Sequence, residues 1–93
     1  MFHKPVCVKC QCELRPKTNG VGLLDMYNPS DKAEPQPYQI WDADLWACPR
    51  CGYELITGFG SRPIAEHWEE GGILERRIEY YNKLRQVVKN YPL

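Results

Sequence analysis

The chain has 93 residues, with equal numbers of basic and acidic side chains and a formal net charge of zero, so it lacks the global basic excess of a nucleic-acid binder. No apolar run approaches membrane-spanning length, and no membrane association is expected. A chain this short builds one domain whose apolar core is marginal alone, so a cross-link or metal is expected to supplement it.

In chain order, Cys7-Val8-Lys9-Cys10 forms a tight turn that runs into a short strand, Gln11-Cys12-Glu13-Leu14. Arg15 to Gly20 reads as a turn, since Asn19-Gly20 is a strong hairpin signal, and Val21 to Tyr27 reads as the return strand. Three prolines between Asn28 and Pro37 forbid a regular element and predict an exposed loop. Tyr38-Gln39-Ile40-Trp41 is a third strand, Asp42-Ala43-Asp44 a bulge or turn, and Leu45-Trp46-Ala47 leads into Cys48-Pro49-Arg50-Cys51-Gly52. Tyr53 to Thr57 leaves as a strand that Gly58-Phe59-Gly60 ends. Residues 61–70 predict a short helix, with Pro63 in its first turn and Gly71-Gly72 as its breaker. From 73 to 90 the chain predicts one amphipathic helix, with Leu74, Ile78, Tyr81, Leu84, Val88 and Tyr91 on one stripe. Glu79 and Lys83 add a favourable pair one turn apart.

The two Cys-x-x-Cys pairs carry the chemistry. Two such turns brought together supply four thiolates, the donor set of a closed tetrahedral zinc site. Pro49 fixes one backbone angle in the second turn, and Gly52 follows its last ligand, where a left-handed residue is often needed. Cys7, Cys10, Cys48 and Cys51 are therefore the expected ligands of one structural zinc ion. The competing reading is disulfide or redox chemistry. Against it stand an odd number of cysteines, five, and an opening stretch, Met1 to Pro5, without the apolar run of a secretory signal. A thioredoxin-like motif needs one pair at a strand–helix junction rather than two facing pairs.

Cys12 reads as a small apolar residue beside the first knuckle; a replacement ligand or a reactive thiol are the other readings. His3 and His67 lack a partner at ligand spacing. Asp42 and Asp44 read as surface or turn residues, not a catalytic carboxylate pair. Trp46 reads as core, whereas Trp41 and Trp68 are open between core filling and stacking on single-stranded nucleic acid.

The run Cys7-x-x-Cys10-x-x-x-Leu14-x-Pro16-x-x-Asn19-Gly20-Val21, then Asp44-Leu45-Trp46-x-Cys48-Pro49-x-Cys51-Gly52-x-Glu54, then Gly58-Phe59-Gly60-x-x-Pro63-Ile64-x-Glu66-His67, resembles a group of small zinc-ribbon proteins encoded by tailed bacteriophages and prophages. The resemblance covers about the first seventy residues and leaves out the final helix. It implies a zinc-binding protein of an infected bacterial cytoplasm, with the four paired cysteines as ligands, and implies no catalytic residues.

The expected fold is a small α+β, metal-stabilised domain. A zinc ribbon of antiparallel strands with two cysteine knuckles spans 1–60, and a C-terminal helical extension over 61–93 packs with it as one domain. Charge is uneven: residues 1–20 hold four basic and one acidic side chain, 21–72 three and nine, and 73–93 five and two. The expected function is a non-catalytic, structural-zinc binding module in the cytoplasm, an adaptor or inhibitor engaging a protein partner such as a bacterial host protein. Nucleic-acid binding through the basic ends and aromatics is the alternative. A small-ligand or enzymatic site near Gly58 to His67 is a further one. The stripe over 73–91 also offers a homodimer seam.

Overall fold

The computed structural model describes residues 4–92. Two long strands form its spine, β3 (Arg15–Tyr27) and β4 (Gln36–Ala47), paired antiparallel along their whole length. The Pro-rich stretch between them is an exposed connection, as its composition requires. The other strands are short: β1 (Val6–Cys7), β2 (Cys12–Glu13), β5 (Glu54–Thr57), β6 (Ala65–Glu66) and β7 (Val87–Asn90). One helix, α1 (Ile73–Leu84), completes the regular elements among the described residues. The main sheet runs β5-β4-β3-β7, with β6 also on β4, and β1-β2 is a separate two-stranded hairpin. Every pairing is antiparallel except β3 with β7.

Four sequence expectations are corrected. Asn19-Gly20 makes no hairpin turn; β3 runs straight through it. The pair's tolerance of left-handed backbone is used for a bulge instead. Gly20 has φ 74° at a register shift against β4, and its N–H bonds Asp44 Oδ1 at 3.2 Å. Asp42-Ala43-Asp44, expected to bulge or turn, lies within continuous β4.

The short helix over 61–70 does not form. Its backbone donors go to the edge of β4: Ile64 N–H to Ile40 O at 2.7 Å and His67 N–H to Tyr38 O at 2.7 Å. A segment with proline near its start and two glycines at its end is too short to nucleate a helix against that competition.

The long helix stops at Leu84 rather than near residue 90. Arg85 N–H makes the last helical bond, to Tyr81 O, and the backbone then turns extended at φ −139°. Gln86 O accepts from Gly22 N–H at 2.8 Å, and the β-branched pair Val87-Val88 continues as a parallel strand on β3. The apolar spacing over 73–90 thus belongs partly to a helix and partly to a strand. The Glu79–Lys83 pair forms as expected, at 3.0 Å on the exposed face.

Strand alternation gives the main sheet two faces. One carries Leu24 and Ile40 and is covered by α1, with Leu74 and Tyr81 buried against them beside Ala65. The other carries Val21, Leu23, Trp41, Ala43 and Leu45. A third cluster, Cys7, Leu14 and Cys48 with Trp46 and Leu55 against it, sits at the cysteine end. Tight approach on the helix face is set by Gly22, where a β-carbon would stand 2.9 Å from both Ile40 Cδ1 and Tyr81 Cγ.

Candidate metal centre

The first Cys-x-x-Cys pair begins where β1 ends and is closed by β2. Gln11 N–H bonds Cys7 O at 2.7 Å, and Gln11 takes φ 55°. The second pair follows β4. Gly52 N–H bonds Cys48 O at 2.9 Å, and Gly52 takes φ 80°, as its position after the last cysteine predicts. The two turns repeat one device: the residue after the second cysteine is left-handed and its N–H closes on the first cysteine's carbonyl. Glycine does this without strain; Gln11 does it with a side chain.

These turns bring the four paired sulfurs together, all within 4.8 Å of one another. Cys7 Sγ and Cys51 Sγ are 3.8 Å apart. A tetrahedral zinc site with Zn–S bonds of about 2.3 Å has sulfur–sulfur edges of about 3.8 Å, so the spacing suits a shared cation. All five cysteines are free thiols, and a disulfide would need about 2.05 Å between sulfurs. The donor set fits as well: four soft sulfurs and no oxygen match zinc or iron and exclude the hard cations calcium and magnesium.

Local electrostatics prepare the cluster unevenly. Backbone N–H groups of Arg50 and Cys51 point at Cys48 Sγ, at 3.4 and 3.5 Å. The Cys51 N–H is the largest reason that the Cys48 thiol is pulled down to about 6. Cys10 is pushed up to about 12, first by its hydrogen bond to Cys51 and then by burial. Hydrogen bonding between sulfurs and burial thus hold the Cys10 proton, with the neighbouring Cys48 charge a smaller cause. A dication among the sulfurs would take the place of the thiol protons and let all four ionise.

Cys12 is held beside this group rather than in it. It pairs with Cys7 across β1–β2, and its Sγ lies 3.7 Å from Cys48 Sγ. Burial, and then the Cys48 contact, raise its thiol. Its spacing to Cys10 gave no sign of this contact, which depends on the β1–β2 register.

Other expected residues fall elsewhere. His67 stacks on Tyr38 at 4.5 Å between ring centroids, with Tyr27 and Trp68 alongside, and joins no metal-ligating cluster among the described residues. His3 lies outside the described residues. Asp42 accepts from Tyr81 and Asp44 from Gly20, so each carboxylate is used in the fold. Trp46 packs against the cysteine cluster, as expected. Trp41 is half-buried and donates to Asp25, whereas Trp68 is exposed. Within the Gly58 to His67 stretch, Phe59 meets Trp41 edge-on and His67 packs against Tyr38, so the two side chains lie against different residues of β4.

Between the knuckles runs an open groove of about 600 Å³, lined by Val6, Cys7, Val8, Lys9, Cys51, Gly52 and Tyr53. Val8 is 90% exposed and Tyr53 62%. Sequence reasoning fixed on the ligands and passed over the residues between and beside them.

The chain matches no protein-family model, no curated protein and no solved structure. What the site defines is a small α+β protein with mainly antiparallel strands and a four-cysteine cluster able to hold a metal ion. No helix among the described residues is long and apolar enough to cross a membrane.

Proposed function

We propose that the protein is a structural-zinc binding module, a zinc ribbon that engages a protein partner through the rim of its metal site. The observation that carries the reading is the four-sulfur cluster with the apolar groove directly upon it. Four cysteine ligands fill a tetrahedral site and leave no position for substrate, which favours a structural metal over a catalytic one. The zinc would be held by Cys7, Cys10, Cys48 and Cys51, and when bound it would fix the two turns against each other.

The rim supports a protein partner over nucleic acid. Val6 and Val8 are exposed aliphatic side chains that offer no stacking face for a base, and Tyr53 is the sole aromatic residue lining the groove. Of the lysines at this end, Lys17 is paired with Glu54 at 2.8 Å and Lys4 lies 4.0 Å from Glu13, which leaves Lys9 as the groove's own lysine without an ion pair among the described residues. The resemblance to phage zinc-ribbon proteins supports a partner in the cytoplasm of an infected bacterium. A homodimer through 73–91 has less support, because Leu74 and Tyr81 are already buried against the chain's own sheet.

The test compares the zinc-loaded chain with Val8→Asp, a change at a side chain that contributes nothing to the core. A bacterial protein retained by the wild type and lost with Val8→Asp, at equal zinc content, supports the reading. Salt-sensitive retention of single-stranded nucleic acid, unaffected by Val8→Asp, supports the nucleic-acid alternative instead.

A further inference from the structure

We propose that the corner between Asp25, Trp41 and Phe59 is a binding site for an organic cation, with a guanidinium group the best fit. The site lies on the sheet face away from α1 and shares no residue with the cysteine cluster. Cross-strand register builds it: Leu23 pairs with Trp41 and Asp25 with Gln39, so these four side chains share one face. Asn90 enters from β7, opposite Asp25. Leu23, Asp25, Trp41, Phe59 and Asn90 line a depression of about 270 Å³.

Two of its walls are aromatic. The Trp41 and Phe59 rings stand 6.4 Å apart at 69° to each other, two sides of a box, and Phe59 is 51% exposed. The third element is a charge. Asp25 Oδ2 accepts from Gln39 Nε2 at 2.9 Å and from Trp41 Nε1 at 3.0 Å, and Oδ1 accepts from Asn90 Nδ2 at 2.9 Å. All three donors are neutral. They fix the carboxylate without compensating it, and among the described residues no basic side chain forms an ion pair with Asp25. A carboxylate offers about four acceptor positions, so one remains for a ligand.

This set selects its ligand by charge. An anion would meet the Asp25 carboxylate without relief. A purely apolar ligand would cover the remaining acceptor without pairing it. A cation gains from both parts: the faces of Trp41 and Phe59 attract positive charge, and Asp25 accepts a charge-assisted hydrogen bond. Guanidinium fits best because it is planar, stacks on aromatic faces and carries donors in its own plane. Lys89, beside Asn90 in β7, is opposite Leu24 and alternates to the other face, so the chain does not fill the site with its own neighbouring cation.

The test follows the indole N–H resonance of Trp41 in the ¹⁵N-labelled, zinc-loaded full chain, assigned by single Trp→Phe variants. The probes are N-acetylarginine amide, agmatine and N-acetylcitrulline amide, the last a neutral isostere. A saturable shift with the two guanidinium probes and none with the citrulline analogue is expected. Phe59→Ala should weaken binding about fivefold, in line with loss of one cation–aromatic contact, and Asp25→Asn should abolish it. Tighter binding of the blocked arginine would assign the site to an arginine side chain of another protein; tighter binding of agmatine would assign it to a free diffusible cation. No saturable shift with either guanidinium probe, an equal shift with the citrulline analogue, or undiminished binding in a folded Phe59→Ala variant would overturn the proposal.

Discussion

The Tyr81 hydroxyl donates a 2.9 Å hydrogen bond to Asp42 Oδ1, joining the last full turn of α1 to the middle of β4. Burial, and then this bond, push the Tyr81 phenol up to about 12 from 10.0. The sign follows from linkage. Below pH 10 both folded and unfolded chains keep the proton and the contribution is whole. Between the two values the unfolded chain loses its proton while the folded one holds it, so stability falls as pH rises and the contribution is gone above the folded value. Tyr81→Phe should cost about 1 kcal/mol at neutral pH, because Asp42 is exposed and regains water. It should also flatten the decline in stability between pH 10 and 12. Denaturant melts of both proteins at pH 8 and pH 11 check it.

Gly22 lies beneath the same tyrosine. A β-carbon there would stand 2.9 Å from two core side chains, closer than real contacts allow. Gly22→Ala should destabilise by about 1–3 kcal/mol through overpacking, although alanine is otherwise neutral or favourable in a strand. The same denaturant melts read it. A Gly22→Ala, Tyr81→Ala double variant should show non-additivity, since the second change opens space for the first.

Gln11 carries φ 55° in the first knuckle where the second has glycine. Gln11→Gly should raise stability by up to about 1 kcal/mol, relief of left-handed strain outweighing glycine's greater freedom when unfolded. A thermal melt of the zinc-loaded variant checks it. Gly52→Gln, the reciprocal change at φ 80°, should lower the midpoint.

Two residues of the C-terminal stripe should part company. Ile78 packs against the buried cluster under α1, whereas Leu84 is 69% exposed at the helix end. Ile78→Glu should cost about 2 kcal/mol or more by placing a charge at a core margin, and Leu84→Glu should stay within about 0.5 kcal/mol. A Leu84→Glu chain that keeps its melting transition but loses self-association in light scattering would restore the dimer seam to consideration.

The contrast between the two halves of that stripe shows what sequence can carry. Steps of three and four from Leu74 to Tyr81 are helical and were legible as such. Val87 and Val88 fit the same arithmetic but answer to a partner strand, and that strand's free edge on β3 is a tertiary fact. Asn19-Gly20 likewise announced left-handed backbone truthfully, but a bulge and a turn share that need. The cysteine cluster was legible because its chemistry is local: each Cys-x-x-Cys turn is closed by the residue that follows it, and the turns only had to meet. The Asp25 corner was not legible, because it draws on β3, β4, β7 and the Phe59 segment, and no short motif joins them.

Metal content of the purified chain, set beside Cys51→Ser and Cys12→Ser, tests the central claim most directly. Cys51 is a member of the four-sulfur cluster, and Cys12 touches Cys48 but stands outside it. Elemental analysis should find one zinc per chain in the wild type and in Cys12→Ser, and Cys51→Ser should lose it to a chelator that leaves the other two loaded. A wild type that binds no zinc, or a Cys51→Ser chain that keeps its zinc while Cys12→Ser releases it, would contradict the account.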